Sequence, residues 1–168
     1  MRYTEVKLND IVNSDGGINI SIWTQGCPHH CKGCFNPSTW EFNVGKEYGS
    51  ELVNYIFSNI DRFNIKRNLS ILGGEPLSNQ NICGVIDLCR QFKERYPEKK
   101  ILIWTGYVYE ELNEIQRLVL PYIDILVDGK FEINKKDISL KMRGSNNQRI
   151  INVKETLSKN KIVELDNY

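Results

Sequence analysis

No stretch of this sequence holds 18 consecutive apolar residues, so no membrane-spanning helix is expected. Charge of neither sign dominates. With 22 Lys and Arg against 21 Asp and Glu, the basic excess typical of nucleic-acid binders is missing, and no nucleic-acid partner is expected. Arg2, Glu5, Lys7 and Asp10 interrupt the N-terminal segment, which excludes the apolar stretch of a secretory signal. Cysteine is scarce and odd in number, five in all, which argues against a disulfide framework and for a reducing, cytoplasmic compartment. What remains is an ordinary globular composition of 40% hydrophobic and 26% charged residues. A single domain over residues 1–168 can bury enough core to need no covalent staples.

Three of the five cysteines, Cys27, Cys31 and Cys34, fall close together in the stretch TQGCPHHCKGCFNPSTW. Thiolates select zinc, copper(I) or iron–sulfur centres. A structural zinc site closes with four protein ligands, and no second cysteine pair follows this CxxxCxxC. His29 or His30 would have to serve as the fourth, in a loop already bent around the metal. A [4Fe–4S] cubane normally takes four thiolates, so three leave one iron open to a further ligand. Spacing alone leaves both readings open.

Along the chain, residues 3 to 13 alternate loosely and suit an edge strand before the Asp15-Gly16-Gly17 turn. Ile18, Ile20 and Ile22 show the period of a strand that runs into the cysteine loop. Ser50 is placed to cap a helix through Leu52, Val53, Ile56, Phe57 and Ile60. The pattern then recurs: an apolar run ends at Gly73-Gly74-Glu75-Pro76, and a helix carries Ile82, Val85, Ile86, Cys89 and Phe92. Another run, Ile101 to Trp104, ends at Thr105-Gly106-Tyr107; a helical face follows through Leu112, Ile115 and Val119. Ile123 to Val127 ends at Asp128-Gly129-Lys130, and further short strands are expected near Ile138 and Leu140, Ile150 to Val153, and Lys161 to Leu165. Alternation of this kind implies parallel strands with helical crossovers and ligands at their carboxyl ends. About five or six strands are too few for a closed eight-stranded barrel, so the expected α/β fold is a partial, open TIM-like (β/α) barrel. Cys83 and Cys89 point in different directions on one helix; Cys89 reads as core.

The segment CxxxCxGC, followed by Phe35-Asn36 and then Thr39-Trp40, together with Gly73-Gly74-Glu75-Pro76, resembles the activases of glycyl-radical enzymes, within the radical S-adenosylmethionine (SAM) superfamily. The superfamily's common pattern puts an aromatic just before the third cysteine; here Gly33 stands there and Phe35 follows. The resemblance runs from about Gly16 to Arg149 and implies a radical SAM core. It implies that Cys27, Cys31 and Cys34 hold one [4Fe–4S] cluster, with SAM chelating the fourth iron, and that Gly33, Cys34 and Phe35 face its adenine. Gly73, Gly74 and Glu75 would receive the methionine ammonium, and Thr105 would lie near the amino acid or ribose. Asp128, Gly129 and Lys130 would flank the ligand, with Lys130 pairing with its carboxylate. The string from Arg143 to Arg149 resembles a late segment of the activases of the reductases and is a candidate for holding a partner's glycine loop or closing the SAM site. The implied partner is the large subunit of an anaerobic ribonucleoside-triphosphate reductase, with a protein electron donor such as a flavodoxin. A pyruvate formate-lyase-type activase and a zinc-stabilised binding module are the alternatives. Taken alone, the GG and DG pairs are ordinary strand-ending turns.

Overall fold

The computed structural model describes residues 1–165 and folds them as a mixed α/β structure around one seven-stranded sheet. The strands are β1 (Arg2–Asp10), β2 (Ile18–Gln25), β3 (Lys46–Glu47), β4 (Arg67–Gly73), β5 (Ile101–Trp104), β6 (Ile125–Asp128) and β7 (Arg149–Asn152). Their order is β3-β1-β2-β4-β5-β6-β7, and the sheet is not closed into a barrel. The four central strands, β2, β4, β5 and β6, are parallel, while β1 and β7 pair antiparallel with their inner neighbours.

One sheet face packs against α1 (Ser50–Asn59) and α2 (Ile82–Arg95). Ile20, Ile22, Leu69, Ile71, Ile101, Ile103 and Leu126 meet Leu52, Ile56, Val85, Leu88 and Phe92 there in one buried core. A strand's side chains alternate between faces, so the intervening residues point the other way. Leu102, Ile125, Val127 and Ile150 form a second, smaller cluster with Trp104 and Met142 packed on it. Off the helix-packed face, β2 and β4 begin with polar residues, and Asn19 Nδ2 donates to Ser70 Oγ at 2.7 Å. Among the described residues no helix is long and apolar enough to cross a membrane.

Several expectations change. The segment from residue 3 forms a strand, but two-residue β3 lies outside it, so β1 is not the edge. Ser50 is the first helical residue and Gly49 the cap. The face through Leu112, Ile115 and Val119 gives only a single turn, α3 (Glu114–Arg117). Leu112 and Val119 are buried in the core, but Ile115 is 55% exposed, and Gln116 is buried instead, donating to the Leu77 carbonyl at 2.8 Å. Ile138 and Leu140 lie outside any strand, Ile138 being 88% exposed. Val153 opens α4 (Val153–Lys159) rather than ending β7, and the segment after α4 makes only an isolated bridge from Glu164 to Ile151.

Candidate functional site

The carboxyl ends of all four parallel strands feed one open cleft of about 660 Å³. The cysteine loop follows β2, Gly73 closes β4, Thr105 follows β5 and Gly129 follows β6. Of the residues singled out in the sequence, Cys27, Cys31, Cys34, Phe35, Gly73, Gly74, Glu75, Thr105 and Gly129 line this cleft. Gly33, Asp128 and Lys130 are not among its lining residues.

At its centre Glu75 is 1% exposed and saturated with donors. Its Oε1 accepts from the Leu77 N–H at 2.9 Å and the Thr105 hydroxyl at 2.7 Å. Its Oε2 accepts from the Gly106 N–H at 2.7 Å and lies 2.9 Å from His29 Nε2. A carboxylate only accepts, so Nε2 is the protonated nitrogen of His29. Two residues that the sequence presented separately, Glu75 and Thr105, thus share one buried network, and His29 joins it from inside the cysteine loop. The His29 ring lies so close over Gly106 that a Cβ there would approach Cδ2 to 2.4 Å. His29 and Gly106 were legible only as a possible zinc ligand and a turn glycine. Their pairing depends on contacts between distant parts of the chain. His30, the other candidate ligand, stacks on Trp40 with ring centroids 4.7 Å apart.

The double glycine has a packing cause. Gly73 has φ +104, and a Cβ on it would meet Trp23 Cα and Thr24 N at 2.8 Å; one on Gly74 would meet the Gly26 carbonyl at 2.6 Å. The backbone entering the cysteine loop presses onto this turn, with hydrogen bonds of 2.8 Å from Gly74 N to Thr24 O and from Glu75 N to Gly26 O. Only glycine admits that approach.

Asp128 is turned to Arg149, which donates from Nε at 3.0 Å and from a terminal nitrogen at 2.5 Å, while the Tyr109 N–H adds a bond of 2.8 Å. The neighbouring Gly129 carbonyl accepts from Gln148 Nε2 at 3.0 Å, and the Lys130 carbonyl from Asn147 Nδ2 at 2.7 Å. The string from Arg143 to Arg149 is therefore tied to the end of β6. Arg143, Gly144 and Gln148 form part of the cleft lining.

Burial pushes the Cys27 thiol up to about 11, although the backbone N–H groups of His29 and His30 act to lower it. Burial also raises Cys31, opposed by the Phe131 N–H and by the charge of Lys130. Among the described residues no three His, Cys, Asp or Glu side chains converge closely enough to hold a single metal ion; the thiols line a common cleft instead. The cleft also has donors to spare. Trp23 Nε1 and Arg143 Nε are buried, lack a partner among the described residues and belong to residues lining it. The donor set fits an iron–sulfur cluster with an anionic group of a small molecule beside it.

Comparison with known proteins points the same way. A family model described as a 4Fe-4S single cluster domain matches residues 12–151. The anaerobic ribonucleoside-triphosphate reductase-activating protein of Vibrio cholerae is 41% identical over 151 residues, 89% of this chain and 97% of the relative. Its namesake in Escherichia coli K12 is 40% identical over 149 residues, 88% of this chain and 96% of that protein. The namesake from phage T4 is 36% identical over 150 residues, 89% of this chain and 93% of its own length.

Proposed function

Since the chain belongs to the family of anaerobic ribonucleoside-triphosphate reductase-activating proteins, with a 4Fe-4S domain, we propose that it generates a glycyl radical on such a reductase as a radical SAM oxidoreductase. The observation that carries this reading is the meeting of Cys27, Cys31 and Cys34 with the Gly73-Gly74-Glu75 turn in one cleft. A [4Fe–4S] cluster held by the three thiolates, bound to SAM through its fourth iron, would supply an electron that cleaves SAM to methionine and a 5′-deoxyadenosyl radical, the species that abstracts hydrogen from the partner's glycine.

The protein's own groups bind, orient and exclude water. The three thiols must lose their protons to become ligands. The β4 turn, braced by Glu75, sets one side of the SAM site; Trp23 Nε1 and Arg143 Nε are donors available to its carboxylate. Gly129, with Gln148 holding its carbonyl, sets another. Val12, 75% exposed, Phe35 and Ile138 make an apolar rim suited to a partner's backbone segment. In this reading the four parallel strands are the core of a partial, open TIM-like barrel, a single domain working in the cytoplasm with a flavodoxin or similar protein as electron donor.

The test is made on protein purified without oxygen and reconstituted with iron and sulfide, by electron paramagnetic resonance after reduction. A reduced cubane signal that changes on adding SAM, followed by a glycyl radical on the added reductase, is the expected outcome. Protein that holds zinc, takes up no cluster and ignores SAM would overturn the reading.

A further inference from the structure

The outward side of the cysteine loop differs from the side facing the cleft. Lys32 and Gly33, the two residues between Cys31 and Cys34, are both exposed. The segment from Lys130 to Lys136 runs alongside. Ile133 Cδ1 lies 2.8 Å from where a Gly33 Cβ would be, and the rings of Phe35 and Phe131 meet edge to face at 5.4 Å. Lys136 Nζ sits 5.3 Å from the Phe35 ring centroid.

Lys32, Lys130 and Lys136 are exposed ammonium groups on the cysteine loop and the segment packed beside it, and none forms an ion pair among the described residues. Lys135, in the same segment, is neutralised by Glu132 at 2.9 Å. With Glu132 and Asp137 as the acids of the adjoining segment against Lys130, Lys135 and Lys136, and Lys32 on the loop itself, positive charge is in excess there.

We propose that Lys32, Lys130 and Lys136 form the docking surface of an acidic protein electron carrier. The proposal rests on the function proposed above, which needs an electron from outside. The described residues offer no second thiol group to relay it, because Cys89 is buried in the core and Cys83 stands exposed on α2. One electron leaves the reduced carrier and enters the cluster, with no covalent bond formed or broken. The unpaired lysines attract an acidic rim and speed encounter in a salt-dependent way.

The experiment follows cluster reduction by stopped-flow absorbance in the reconstituted full chain, using a reduced flavodoxin as the acidic probe and photoreduced deazaflavin as a small reductant. Wild type is compared with Lys32→Glu/Lys136→Glu and with Lys66→Glu/Lys161→Glu, an equal charge change at exposed lysines preceding β4 and following α4. Reduction by flavodoxin is expected to slow about tenfold in the first variant and in wild type at high salt, but not in the second variant. All three should be reduced equally by deazaflavin. Equal flavodoxin rates in both variants would overturn the docking surface while leaving the activase reading intact. Absence of a reduced-cluster signal with deazaflavin in wild type would overturn both. If Lys32→Glu impairs cluster loading, Lys136→Glu alone decides, with a rate equal to wild type counting against the proposal.

Discussion

His29 Nε2 and Glu75 Oε2 lie 2.9 Å apart although 46 residues separate them in sequence. Both side chains are nearly buried, at 7% and 1% exposure. The contact fastens the turn between Cys27 and Cys31 to the end of β4. Because the same Oε2 also accepts from the Gly106 N–H and Oε1 accepts from the Thr105 hydroxyl, it also fastens that turn to the end of β5. Three of the four strand ends around the cleft therefore hold their relative positions through one carboxylate.

Removing the imidazole should loosen that junction. His29→Ala is expected to destabilise the protein by about 1.5–3 kcal/mol, the range for a hydrogen bond to a charged group. His29→Gln can still present an N–H toward Glu75 and should recover much of the loss. Urea denaturation of the two variants without iron measures this directly. Equal midpoints for Ala and Gln would show that the hydrogen bond contributes little.

The glycine pair predicts a sharp positional contrast. Gly73→Ala adds a side chain at φ +104 against backbone atoms, and Gly74→Ala drives a Cβ into the Gly26 carbonyl. Each should cost about 2–3 kcal/mol through strain or displacement of β2. At Gly49, the cap of α1, nothing lies within 4 Å of an added Cβ. Gly49→Ser should gain a few tenths of a kcal/mol by supplying a capping oxygen. Thermal melts of the three variants compare these effects.

These contrasts also mark what the sequence reveals. Alternation with a period of two located β2, and short apolar runs located β4, β5 and β6, because their helix-packed faces must bury aliphatic side chains. The motif at each strand end then located the cleft. Length and hydrophobicity could not say that β7 would return antiparallel: that depends on Arg149 pairing across to Asp128, a contact of 21 residues' separation. Nor could they say that Gln116 rather than Ile115 would be buried, since the decision lies with the Leu77 carbonyl. The cysteine spacing is local and was readable. The His29–Glu75 contact is tertiary and was not.

Thiol chemistry gives a pH prediction with a definite sign. Cys27 is raised from 9.0 to about 11 by burial, so the folded chain keeps a proton there that the unfolded chain loses. Between those values the folded state binds more protons, and stability of the iron-free protein must fall as pH rises. Iodoacetamide labelling followed by mass spectrometry should therefore modify exposed Cys83 readily near neutral pH and leave Cys27 protected until strongly alkaline conditions. Labelling of Cys27 as fast as Cys83 at neutral pH would contradict the burial effect.

The Arg149 fork separates a buried pair from an exposed one on a single guanidinium. One side holds Asp128, 1% exposed; the other holds Glu110, 55% exposed, through bonds of 3.0 and 2.7 Å. Removing the buried charge strips Arg149 of its desolvated partner, so Asp128→Asn should cost about 3 kcal/mol. Glu110→Gln removes a solvent-screened pair and should cost less than about 1 kcal/mol. The two variants should also differ in acid. Arg149 holds Glu110 below its ordinary 4.5, so its stabilising contribution is present above that value and lost as pH falls through the lower folded one. Glu110→Gln should narrow its gap to wild type between neutral pH and the acid transition. Urea midpoints at several pH values test both statements. A Glu110→Gln gap that stays constant down to the acid transition would mean that this ion pair does not contribute to the pH dependence.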